Sequence, residues 1–165
     1  MASRRAPAVT LKAGRDKSLR ERHPWIYSGA IDRVEGDPGP GDTVEVRSHD
    51  GTGLAVAAWS PASQIRARVW SFAPAVVDAA FFAGRVQAAV ALREGMLDVD
   101  NTACRLVHGE SDGLPGVVAD RYGDTIVGQL SSAGAERWRD AVVDALVAAA
   151  GAANVVERSD AEVRR

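Results

Sequence analysis

Between residues 42 and 70 the chain repeats one pattern at short intervals, and that pattern limits the folds open to it. Asp42-Thr43-Val44-Glu45-Val46-Arg47 and Gln64-Ile65-Arg66-Ala67-Arg68-Val69-Trp70 alternate polar with apolar residues, as strands with one buried face must. Leu54-Ala55-Val56-Ala57-Ala58-Trp59 reads as a further strand, and Asp50-Gly51 before it as a hairpin turn. Upstream, Glu35-Gly36-Asp37-Pro38-Gly39-Pro40-Gly41 is too dense in proline and glycine for helix or ladder. Short strands this close together suit a small, partly closed barrel, which leaves few bare edges. With Val9–Lys12 and Trp25–Tyr27 as earlier strands, the barrel is expected over residues 9–73. Residues 1–8, small, basic and proline-containing, are expected to fray.

Inserted between the first two strands is Leu11 to Ile31, LKAGRDKSLRERHPWIYSGAI. It sets Lys12, Arg15, Lys17, Arg20 and Arg22 against only Asp16 and Glu21, then runs into His23-Pro24-Trp25. A short helix is expected between Gly14 and Pro24, capped by Asp16 or Ser18, because proline cannot continue it. Cations offset phosphate charge and release counterions, and flat rings can stack on unpaired bases, so RNA is the first candidate partner. A solvated charged face beside a core tryptophan is the competing reading. Trp25 opens an apolar strand, so a core position suits it better than a stacking platform. Arg66 and Arg68 share the outward face of their strand and extend the positive surface or simply face solvent.

The formal charge of -2 conceals an asymmetry: the first 25 residues carry seven Lys or Arg against two acids, leaving -7 on the remainder. A local basic face on a mildly acidic body is the layout of a site that steers one anionic partner. Cys104 is the only cysteine, so no intramolecular disulfide can form, and a reducing, cytoplasmic setting is expected. No run approaches the roughly 18 apolar residues of a membrane-spanning helix. A membrane role is not expected.

Ala73-Pro74-Ala75 marks a boundary. Beyond it, an amphipathic helix is expected over Asp78 to Gly95, with Phe81, Phe82, Val86, Val90 and Leu92 inward and Arg85, Gln87 and Arg93 outward. A strand Cys104–His108, a tight turn region Gly109–Gly116 and a hairpin of Val117–Arg121 with Thr125–Leu130 follow. One helix over Ala135–Ala150 should bury Trp138, Val142, Val143, Leu146 and Val147, and Asn154–Arg158 should return as a strand. This second domain, residues 74–165, is small and mixed, so the fold class is α+β. A hairpin, one helix and one returning strand leave a bare edge, which suggests a chain that stops early.

Chemistry is harder to find. His23, His49, His108 and Cys104 are too scattered for a metal site. Cys104 and His108, four apart on a strand, are roughly 13 Å apart, too far for a nucleophilic pair, and Cys104 is read as a small core residue. The glycine turns lack the strand and helix context of a nucleotide cradle. Glu110, Asp112, Asp120 and Asp124 are better read as acids satisfying local amides than as a catalytic pair. No catalytic residue is assigned.

Three colinear segments then carry a resemblance: Lys12-Ala13-Gly14-Arg15-Asp16-Lys17-Ser18-Leu19 leading to His23-Pro24-Trp25-Ile26-Tyr27-Ser28-Gly29-Ala30; Trp59-Ser60-Pro61-Ala62-Ser63-Gln64-Ile65-Arg66-Ala67-Arg68; and Gly109-Glu110-Ser111-Asp112-Gly113-Leu114-Pro115-Gly116 with Asp120-Arg121-Tyr122-Gly123. Together with Arg158-Ser159-Asp160 they resemble the bacterial 23S ribosomal RNA cytosine-5 methyltransferases that begin with a PUA domain. The resemblance implies an RNA-binding PUA barrel, a central α+β domain and a later Rossmann-like domain that holds S-adenosylmethionine and the catalytic cysteines. No residue here matches those catalytic motifs, so the chain is expected to carry no cofactor and to be inactive alone. The RNA contacts expected are Lys12, Arg15, Lys17, Arg20, Arg22, His23, Trp25, Arg66 and Arg68. A stand-alone, non-enzymatic module binding RNA or a protein through the same surface is the alternative.

Overall fold

The computed structural model describes residues 6–96 and 102–159. The chain divides into two compact units between Ala75 and Val76.

The first unit is a six-stranded sheet built from β1 (Ala8–Leu11), β2 (Trp25–Tyr27), β3 (Ile31–Glu35), β4 (Thr43–Arg47), β5 (Gly53–Trp59) and β6 (Ile65–Ser71), in the order β2-β6-β5-β4-β1-β3. All neighbours are antiparallel except β1 and β4, which run parallel. The two outermost strands are consecutive in the chain, joined only by a 3-10 turn over Ser28–Ala30. In a flat sheet, five strand spacings of ~4.8 Å would hold them ~24 Å apart. Three residues rising ~2 Å each cannot span that, so the sheet must curl until its edges meet. Inside the curl lie Val9, Leu11, Ile26, Val44, Val46, Ala57, Trp59, Ala67 and Val69.

Alternation accounts for β4 and β6, whose inward residues are the apolar ones. The frayed start expected for residues 1–8 is corrected at its end. Ala8 is buried in β1, and the Pro7 carbonyl accepts from the Glu45 amide at 3.0 Å. Residues 1–5 lie outside the described residues.

The second unit has a four-stranded sheet of β7 (Ala103–His108), β8 (Val117–Tyr122), β9 (Thr125–Leu130) and β10 (Asn154–Glu157), in the order β10-β9-β8-β7. The first three strands are antiparallel, and β10 joins β9 in parallel. Helix α1 (Lys17–Arg20) belongs to the first unit, whereas α2 (Ala79–Ala91), α3 (Ala133–Arg137) and α4 (Arg139–Ala150) belong here, with α2 packed on α4. A register shift between Arg105 and Val107 lets consecutive residues Leu106 and Val107 both be buried.

The expected single helix over 135–150 is two. Ser132 caps α3 by accepting from the Ala135 amide at 3.1 Å, and Trp138 leaves helical geometry, stacking 5.0 Å from Phe82 of α2. Its apolar stripe is shorter than expected, since Val147 is exposed. In α2 the expected orientation of the last turn is reversed: Leu92 is 72% exposed, while Arg93 turns in to meet Asp112. Arg85 is half-buried with its guanidinium 5.0 Å from the Phe81 ring centroid, and Cys104 is half-buried rather than core. No helix among the described residues is long and apolar enough to cross a membrane.

Candidate nucleic-acid interface

The basic stretch is held on the barrel by one apolar peg. Leu19, buried at 4% exposure within α1, inserts into the barrel core, a burial worth ~2 kcal/mol. Gly14 turns the chain at φ 72°, with the Arg15 amide donating to the Lys12 carbonyl at 3.0 Å. Asp16 stands at the helix start but caps nothing with its side chain; its carboxylate accepts from Arg20 Nε at 2.6 Å. That hydrogen bond, with Asp16's own backbone amide, holds its carboxyl below the usual range.

The helix ends in a Schellman geometry: the Arg22 amide donates to Leu19 and the His23 amide to Ser18, at 3.0 and 2.9 Å. The position past the cap is the one where glycine is favoured, yet Arg22 occupies it at φ 64°. Its guanidinium lies 5.4 Å from the Phe72 ring centroid, a cation–π contact worth about 0.5–1 kcal/mol at an exposed site. A strained backbone thus aims a cation, and the stretch is a shaped surface rather than a floppy arm.

From there the chain enters β2, the sheet's edge. Ile26 is buried, so its neighbours Trp25 and Tyr27 project from the other face. This corrects the core position expected for Trp25, which is half-buried and outside the barrel core. His23, Trp25 and Tyr27 form an edge-to-face row, with centroids 5.7 and 6.5 Å apart and planes at 82° in both pairs. The Trp25 amide donates to His23 Nδ1 at 3.2 Å. Opposite Trp25 in register is Arg68 of β6; Arg66 lies two residues away, its guanidinium 6.0 Å from the Trp59 centroid.

The expected RNA-facing residues therefore separate. Arg22, His23, Trp25 and Arg68 are brought together along the β2–β6 edge, and Arg15 and Lys17 stand exposed before it, with no side-chain hydrogen bond or ion pair among the described residues. Lys12 is exposed but tied, its Nζ donating to the Gly29 carbonyl at 3.2 Å. Arg20 is shared with Asp16, and it also bears on Asp50. The Ser48 hydroxyl and the Thr52 amide hold Asp50 down to about 2. Sequence reasoning missed Tyr27 and Phe72 as members of the surface. Tyr27's place two residues from Trp25 on a strand was the available signal; Phe72, fifty residues from Arg22, offered none.

Elsewhere on the barrel the cations are spent. Arg33, Glu35, Arg47 and Glu45 form a chain of ion pairs across β3 and β4. Among the described residues no group of three or more His, Cys, Asp or Glu is placed to hold a metal. The glycine turn of the second unit is no cofactor cradle either. A Cβ at Gly113, φ 69°, would strike the Arg85 guanidinium, and one at Gly116, φ 79°, would strike Ser132. Those glycines serve internal packing.

A model of the PUA-like domain matches residues 9–72. Over 159 residues the chain is 54% identical to ribosomal RNA large subunit methyltransferase I of Vibrio vulnificus, covering 96% of this chain and 40% of the relative. The like-named protein of Cronobacter sakazakii is 50% identical over 159 residues. The chain spans about 40% of the length of these relatives. Among solved structures, a proposed SAM-dependent methyltransferase from Streptococcus mutans shares the fold with TM-score 0.78 at 18% identity, over 92% of this chain and 40% of that one. A second proposed methyltransferase, solved with SAH, gives 0.81 over 94% of this chain and 41% of that one. These matches bear out the resemblance to ribosomal RNA methyltransferases carrying a PUA-like domain.

Proposed function

We propose that this chain is the RNA-binding portion of a 23S ribosomal RNA methyltransferase, docking the RNA through the surface of Arg15, Lys17, Arg20, Arg22 and Trp25. The observation that carries the reading is the contrast in charge use on one barrel: the cations of β3 and β4 are paired with acids, while Arg15 and Lys17 are open beside an aromatic edge. Unpaired cations on a rigid support favour a polyanion, because no internal partner must be displaced before phosphate can bind.

Methylation at C5 of a cytosine, with S-adenosylmethionine as donor, is the reaction this docking would serve. No residue of this sequence matches the catalytic motifs that the resemblance implies, so purified chain is expected to transfer no methyl group from labelled S-adenosylmethionine. A reducing, cytoplasmic setting fits the lone half-buried cysteine.

The test is binding to 23S fragments across salt concentrations. Affinity should fall steeply with salt. Reversing Arg15, Lys17 and Arg20 to Glu should weaken binding and flatten the slope by about one for each phosphate left without its cation. Affinity indifferent to both changes would refute the assignment.

A further inference from the structure

We infer that Tyr27, with Trp25 and His23, forms a stacking platform that selects unpaired nucleotides, so that the barrel takes single-stranded rather than duplex RNA. This rests on the RNA-binding reading and names the form of RNA that the same surface accepts.

Tyr27 is 48% exposed although it follows a fully integrated strand residue, Ile26, at 3%. It is not a loose ring. Its plane is set by the edge-to-face contact with Trp25, whose own plane is set in the same way by His23. The backbone just after it is clamped from two sides. The Ser28 amide and hydroxyl bond the Gln64 carbonyl and side chain at 3.0 and 2.9 Å, and Lys12 Nζ holds Gly29 at 3.2 Å. Presenting this aromatic surface therefore requires little further ordering, and rigid aromatics bind at low entropic cost.

Bases inside a duplex bury their faces against each other, so a ring can reach a base face only where the strand is unpaired. Cations alone do not discriminate, since both forms carry phosphate. The aromatic row is consequently the part of this surface that can tell the two apart, with Arg68 in register beside Trp25 and Arg22 at its upstream end to take the backbone charge.

The experiment uses the whole chain and two labelled probes, an unstructured RNA 12-mer of mixed sequence and the blunt duplex containing it, titrated by fluorescence anisotropy at several salt concentrations. Wild type should prefer the single strand. Tyr27→Ala should lose about ten-fold on the single strand, stay within about two-fold on the duplex and keep the salt slope, while Tyr27→Phe should restore binding. Thermal melts of both variants matching wild type verify the fold. Equal loss on both probes, no loss on the single strand, or failure of the phenylalanine variant to restore affinity would overturn the platform. Binding of neither probe by wild type would instead overturn the RNA reading beneath it.

Discussion

The basic surface of residues 12–27 and the turn of residues 109–116 are both polar, glycine-bearing segments, and they use their charges in opposite ways. In the turn, Asp112 is 5% exposed and accepts from both terminal nitrogens of Arg93 at 2.9 Å and from the His108 amide at 2.6 Å. Arg93 also donates to the Ala89 carbonyl, so one ion pair ties the end of α2 to the turn after β7. On the barrel, Arg15 and Lys17 touch no side-chain partner among the described residues, and Arg22 rests on a ring. Polar residues of equal prominence in the sequence thus hold the fold in one place and face outward in the other. Burial decides which.

The sharpest way to break this contrast is Asp112→Ala. It strands a largely buried guanidinium and a backbone amide, so the second unit should lose about 3 kcal/mol. Hydrogen exchange reports the two units separately; unchanged protection of α2 and β7 would show the pair to be dispensable. A smaller effect is expected at Arg22. Arg22→Gly relieves a left-handed backbone by about 1 kcal/mol and forfeits a cation–π interaction of similar size, so barrel stability should move by less than about 1 kcal/mol while RNA affinity falls. A large loss of stability would place Arg22 with Asp112 among the structural charges.

The smallest effect belongs to pH. Asp50 sits at about 2 in the fold against 3.8 unperturbed. Its contribution to the Ser48–Thr52 turn is present above the unfolded value and is lost as pH falls through about 2. Amide exchange in that hairpin should therefore differ between wild type and Asp50→Asn above pH 4 and converge toward pH 2. A constant difference across that range would mean that the carboxylate charge is not what holds the turn.

Much of the barrel was legible because its strands announce themselves locally: alternation located β4 and β6, and Asp50-Gly51 the turn before β5. The strand Ile31–Glu35 was not named, and the structure shows why. Its three central residues are exposed, so its stability comes from the ladder with β1 rather than from an apolar face. The parallel pairing of β1 with β4 joins residues thirty-seven apart and leaves no periodic trace. At Trp138 the helix break coincides with the packing of its ring against Phe82, a contact that does not interrupt the apolar stripe. For the candidate surface, the cluster of cations was visible in composition. The left-handed turn at Arg22 was not, because that position ordinarily advertises itself with glycine.

The link Ser28–Ala30 joins the two free margins of the curled sheet and so acts as a seam. Tyr27 borders it on one side, and Lys12 and Gln64 stitch it to the rest of the barrel from the outer surface. A ligand resting on Tyr27 would lie along the line where the cylinder can part. Through mass action such a ligand favours the closed form in proportion to its occupancy, so the guest would also serve as a rivet.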